Sequence, residues 1–147
     1  LLFLNGVAGL GAPYWVPDFP SQFIGDGDDW QKAVAVVESV VFLLRVNMEE
    51  MQKSASPPLQ IQVTGGLSAL DGLCQRLADL SRMPVYRPVE HEATARGTAY
   101  LLAGCPQDWP ETEIGYWFKP RDNSMLHRRY GEWQKAMLAT MRRGTAD

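Results

Sequence analysis

The chain has 147 residues, 46% of them hydrophobic and 21% charged, with a formal net charge of −3 and a pI near 5.4. That is the size and make-up of one ordinary globular domain. Lys and Arg are scattered, which argues against a nucleic-acid surface, and charged or polar residues interrupt the most apolar stretch before it reaches membrane-spanning length.

The chain opens on Leu1-Leu2-Phe3-Leu4, which reads as the middle of a strand. It does not begin with Met, and no charged leader or cleavage site precedes this run, so a piece of a longer protein is expected, without a signal peptide. Asn5 to Trp15 holds three glycines and a proline and reads as a constrained loop. Its spacing fails the dinucleotide fingerprint, and no helix follows it. Ser21 to Gly25 predicts a short strand.

Asp28 or Asp29 can cap a helix over Trp30 to Gln52, which contains neither Gly nor Pro. Roughly 22 residues make it about 33 Å long. Apolar residues nearly all around it predict burial between layers. Within it, Ser39 is small enough to let a sheet approach, and Glu38 calls for a hydrogen bond or a cation. Lys53 to Pro58 is a polar loop. The alternation of Leu59 to Thr64 predicts a strand and residues 67–82 a helix, followed by a short strand at Pro84 to Pro88. A third helix is expected over Glu92 to Ala103, ended by Gly104. Gly97 inside that helix predicts close packing, since glycine otherwise costs a helix about 1 kcal/mol. Residues 105–121 read as an irregular arm, and Asn123 to Arg142 as a final helix. His127 to Arg129 and Arg142-Arg143 read as a solvated helix face. The alternation of helix and strand predicts an α/β fold with parallel strands and crossover helices.

Cys74 and Cys105 have no metal-ligand spacing around them. Cys74 reads as small core filler, and a reducing, cytoplasmic setting is expected. The pair with most chemical meaning is Gly65-Gly66, between the strand and the helix that follows it. Two residues without side chains let a ligand approach the backbone. A helix starting there offers unpaired N–H groups and the positive end of its dipole, where a phosphate or nucleoside sugar fits. A plain tight turn is the alternative meaning.

Four segments carry a family resemblance. Gly9-Leu10-Gly11-Ala12-Pro13-Tyr14-Trp15 with Pro17-Asp18 is a glycine-aromatic loop. Val37-Glu38-Ser39-Val40-Val41-Phe42 places a Glu-Ser pair on a long helix. Val63-Thr64-Gly65-Gly66 resembles an adenosine motif. Arg87-Pro88 to Tyr100-Leu101, with Glu92, Thr94, Ala95, Gly97 and Ala99, follows it. The tail Tyr130 to Ala136 is similar as well. In this order the segments resemble the C-terminal domain of the FGGY carbohydrate kinases, most of all the glycerol kinases among them.

The resemblance implies an actin-like, ribonuclease-H-like ATPase fold whose N-terminal strands are missing here, with residues 1–147 forming the C-terminal part of the nucleotide-binding domain and 105–147 its arm and last helix. It implies an enzyme that transfers the γ-phosphoryl group of ATP, with Mg²⁺, to a hydroxyl of a sugar or polyol, glycerol being favoured. The catalytic base and main phosphate loops have no matching positions in this chain, so no catalytic residue is assigned and the chain alone is expected to be inactive. Gly65 and Gly66 carry over as nucleotide contacts. Glycerol kinases usually place an Asn four residues after the second glycine. Here that position is Leu70, with Asp71 next, and Ser68 or Asp71 are the candidate replacements. The expected partners are ATP, the sugar or polyol, the rest of the kinase chain and a second copy in a homo-oligomer. A non-catalytic actin-like module for association or regulation is the alternative.

Overall fold

A computed structural model describes residues 1–90, 92–110 and 114–144. They form β1 (Leu2–Leu4), β2 (Gln22–Ile24), α1 (Asp29–Met51), β3 (Ile61–Gln62), a 3₁₀ turn (Gly66–Ala69), α2 (Asp71–Ser81), β4 (Val85–Pro88), α3 (Ala93–Leu102), β5 (Gly115–Phe118) and α4 (Ser124–Gly144). The chain divides into two compact units, Leu1–Pro57 with the segment from Asp122 onward, and Pro58–Arg121.

In the first unit β1 and β2 pair antiparallel, Phe3 opposite Phe23. The loop between them is closed by a Leu10–Val16 bridge. Glycine is required at Gly9, where φ is +81° and a Cβ would collide with the Pro17 carbonyl. α1 starts at Asp28, whose carboxylate accepts from the Gln31 amide at 2.8 Å while the Gln31 side chain accepts from the Asp28 N–H at 3.0 Å. This reciprocal pair satisfies two N–H groups that a helix start leaves open. The buried positions of α1 include Ala35, Glu38, Ser39, Val41, Phe42 and Val46, a single face, so the burial on all sides predicted from its composition is not seen among the described residues. Val36 and Leu44 lie exposed.

α4 completes this core with Leu126, Tyr130, Trp133 and Met137. The Trp133 indole donates to the Phe3 carbonyl at 3.0 Å, and the Phe42 ring lies 5.5 Å from both Tyr130 and Trp133. Glu38, for which a hydrogen bond or a cation is expected, is met by Arg129, which therefore does not lie on the solvated helix face expected for residues 127–129. The Arg129 Nε donates to the carboxylate at 2.9 Å, and its Nη2 donates to the same oxygen and to the Leu1 carbonyl. A second cluster forms on Glu49, which accepts from Arg45 Nε at 2.8 Å and from the Tyr130 hydroxyl at 2.9 Å. Burial first, and the Glu49 hydrogen bond and charge second, push the Tyr130 phenol well above its usual range. Tyr14 is raised as well, by burial and then by Glu49.

The second unit holds a three-stranded sheet of order β3-β4-β5. β3 and β4 are parallel and joined through α2, as the alternation of elements predicts. β4 and β5 are antiparallel, so the sheet is mixed. β5 lies inside the segment expected to be an irregular arm, of which residues 111–113 are outside the described set. α2 buries Leu73, Cys74, Leu77, Ala78 and Leu80, with Val85 and Tyr86 of β4 in the same core. Buried Asp79 accepts from Gln75 at 2.7 Å and from the Arg121 amide at 3.0 Å, which secures the chain leaving β5. α3 has no buried residue. Gly97 meets no heavy atom within 4 Å of where a Cβ would stand, so the close packing expected there is absent among the described residues. No helix among the described residues is long and apolar enough to cross a membrane.

Candidate functional site

The site is built where β3 ends. Ile61 donates to the Pro84 carbonyl and Val63 to the Tyr86 carbonyl, both at 2.9 Å, and the strand pairing ends there. Gly65 then takes φ +86° and ψ 173°. That region is closed to residues with a Cβ, so the turn requires glycine. A Cβ at Gly65 or Gly66 would meet nothing within 4 Å. The backbone of both residues therefore borders open space at the carboxyl end of a parallel strand, the place where α/β sheets receive ligands.

The helix expected from residue 67 begins later. Gly66–Ala69 is one 3₁₀ turn, Leu70 is extended at φ −82°, ψ 100°, and α2 starts at Asp71. Ser68 explains the interruption. Its hydroxyl donates back to the Gly65 carbonyl at 2.6 Å, and its amide donates to the same oxygen at 3.0 Å. A side-chain hydroxyl bonded to nearby backbone competes with helix propagation. Ser68 is buried, and its hydroxyl works within the turn.

Asp71 is exposed and accepts from Arg87 Nη1 at 2.8 Å. The same nitrogen donates to the Ser68 carbonyl at 2.8 Å. The Arg87 guanidinium, whose side chain is only 11% exposed, lies 4.9 Å from the Tyr116 ring centre and 5.3 Å from that of Phe118. The Cys74 thiol also donates to the Ser68 carbonyl, at 3.3 Å, and burial is the first cause of its raised pKa. Leu67 and Leu70 are exposed beside the turn. Of the four candidates, Gly65 and Gly66 face open space, Ser68 is turned inward, and Asp71 is engaged by a cation. Sequence reasoning names Arg87 only within the resembling segment and gives it no role at the site, because its partners come from three other elements.

Beside Thr64 lies a cleft of about 310 Å³, whose lining includes Gln62, Thr64, Glu90, Arg96, Gly97 and Trp109. Arg96 lies 5.6 Å from the Trp109 ring centre and donates to the Pro110 carbonyl. Among the described residues no three of His, Cys, Asp and Glu gather as a metal would need.

Residues 1–104 match the family model for the C-terminal domain of the FGGY family of carbohydrate kinases. The chain belongs to that family. A glycerol kinase of Herminiimonas arsenicoxydans is 35% identical over 150 residues, covering 93% of this chain and 30% of the relative. A glycerol kinase of Thermococcus kodakarensis is 35% identical over 152 residues, covering 95% and 30%. This FGGY chain thus spans about 30% of the length of the curated relatives it matches. Among solved structures, Plasmodium falciparum glycerol kinase with ADP superposes with a TM-score of 0.75 at 18% identity, covering 95% of this chain and 30% of that one. Xylulose kinase from Rhodospirillum rubrum gives 0.72 at 18% identity, covering 99% and 31%. At such identities the superpositions speak for the fold alone. It is the actin-like ATPase fold that the resemblance implies.

Proposed function

We propose that this FGGY chain supplies the nucleotide-contacting part of an ATP-dependent kinase that phosphorylates a sugar or polyol, glycerol being favoured. The observation that carries the reading is the Gly65-Gly66 turn, which ends a parallel strand in a positive-φ conformation with nothing over its two Cα atoms. A nucleotide resting there would be contacted by the backbone of Gly66. Leu67 and Leu70 would offer apolar surface beside it. The similarity to glycerol kinases over most of the chain favours glycerol as the acceptor.

In the reaction of this class the acceptor hydroxyl oxygen bonds to the γ-phosphorus, the bond to the β,γ-bridging oxygen breaks, ADP departs and the hydroxyl proton passes to a base. Positioning and charge stabilisation do most of the work, and Mg²⁺ neutralises the phosphates. In this reading the base, the acceptor pocket and the Mg²⁺ contacts belong to the part of the relatives' length that this chain does not span. Residues 1–147 are then the C-terminal part of the nucleotide-binding domain, and the chain alone is inactive.

The test is Gly66→Val in the full-length protein. A β-branched side chain there enters the open space next to the turn. ATP affinity measured by calorimetry should fall about tenfold or more, equivalent to about 1.4 kcal/mol, with glycerol affinity unchanged. Unchanged ATP affinity removes the turn from the nucleotide site. A panel of polyols and ketoses assayed with the parent protein identifies the acceptor. Nucleotide binding without turnover on any of them would instead favour an association module.

A further inference from the structure

We propose that Arg87 is a positioning residue for the nucleotide, holding the glycine turn from behind. The inference rests on the reading of Gly65-Gly66 as the nucleotide contact. Arg87 leaves β4 and its Nη1 reaches the Ser68 carbonyl and the Asp71 carboxylate, each at 2.8 Å. One cation therefore ties the last part of the 3₁₀ turn to the first residue of α2. The guanidinium is held in turn by the rings of Tyr116 and Phe118 on β5. A planar, delocalised cation can stack on aromatic rings and donate at its edge together, which an ammonium cannot.

The orientation of the turn follows from this contact. A trans peptide points its C=O and N–H in opposite directions. With the Ser68 carbonyl drawn toward Arg87 and Cys74, that peptide plane is fixed and cannot rotate toward the open side. The Ser68 hydroxyl holds the Gly65 carbonyl in the same turn. Both restraints act on carbonyls, and the glycine backbone is left facing open space in one conformation before a ligand arrives. Ordering a loop in advance lowers the cost of binding to it. The same contact engages one oxygen of Asp71, so that this carboxylate helps to hold the turn.

The experiment measures ATP affinity by calorimetry, and the KM values for ATP and glycerol, in the full-length protein carrying Arg87→Gln, Arg87→Lys, Asp71→Asn or Gly66→Val. Arg87→Gln should weaken ATP binding and raise its KM by about tenfold, with the glycerol KM unchanged and kcat at saturating ATP within about twofold of the parent. Arg87→Lys keeps the charge and reaches one acceptor without stacking over the rings, so about a threefold loss is expected. Asp71→Asn should fall short of Arg87→Gln, because the Ser68 contact survives. The proposal is overturned if Arg87→Gln leaves ATP affinity within about twofold, or if both KM values rise together as general loosening would make them. Should Arg87→Gln fail to fold, Arg87→Lys decides, and parental ATP affinity in that variant overturns the proposal. Loss of ATP affinity in Gly66→Val but not in the Arg87 variants sinks the positioning role alone. No loss in Gly66→Val sinks the reading of the turn itself.

Discussion

Glu38 is an acid inside an apolar helix face, and its partner lies 91 positions away in sequence. Arg129 reaches it with two nitrogens and keeps about a quarter of its own side chain exposed. Arg129→Met should destabilise the first unit by about 2–3 kcal/mol, below the ~3–5 of a fully buried pair because Arg129 remains partly hydrated. Adding Glu38→Gln to that variant should recover part of the loss, since the remaining buried charge is then gone; denaturant unfolding of both variants checks it. Tyr130 gives a prediction in pH. Burial and the Glu49 carboxylate hold its native pKa above the ordinary phenol value of about 10, so between those two values the unfolded chain binds fewer protons than the native one. The stability this group contributes is fully present below about pH 10 and is lost as pH rises above it. Tyr130→Phe should flatten that alkaline loss; an unchanged alkaline limb in pH-dependent melting would show that Tyr130 does not cause it.

Among the elements, α1 was the most legible. An acidic cap, a long run without Gly or Pro and a dense apolar pattern all agree, and the helix lies within one residue of its expected bounds. Its capping box predicts that Asp28→Ala costs about 1 kcal/mol, seen as a shift of the unfolding midpoint without a change in slope. α2 was legible in kind but not in its start. The sequence from Leu67 onward fits a helix, yet the Ser68 hydroxyl closes a tighter turn first. β5 was missed because its four residues are held by pairing with β4, a contact about thirty positions distant that no local pattern announces. Of the candidate site, the glycine pair was visible because glycine has a local meaning. The role of Arg87 was not, because it exists only once β4, β5, the turn and α2 come together. The burial of Ser68 was hidden for the same reason, since a serine near a glycine turn reads equally well facing out or in.

At the scale of the whole molecule, the first two strands and the last three belong to separate sheets. β3 pairs on one side only among the described residues, with β4, and its other edge carries open hydrogen-bonding groups. Large apolar side chains are also exposed, among them Leu59 at 92% and Leu102 at 84%. The chain by itself should therefore self-associate, by strand addition or by packing of helix faces. Sedimentation over a concentration series tests this, and a monomer at every concentration would count against it. The absence of any buried residue on α3 has a further consequence, in time instead of in space. Amide protons in a helix that anchors no core exchange with solvent through local opening and need no global unfolding. In the chain alone, α3 should take up deuterium well before α1 and α4. In the full-length protein, slowing of α3 would report directly how much of that helix the remaining sequence covers.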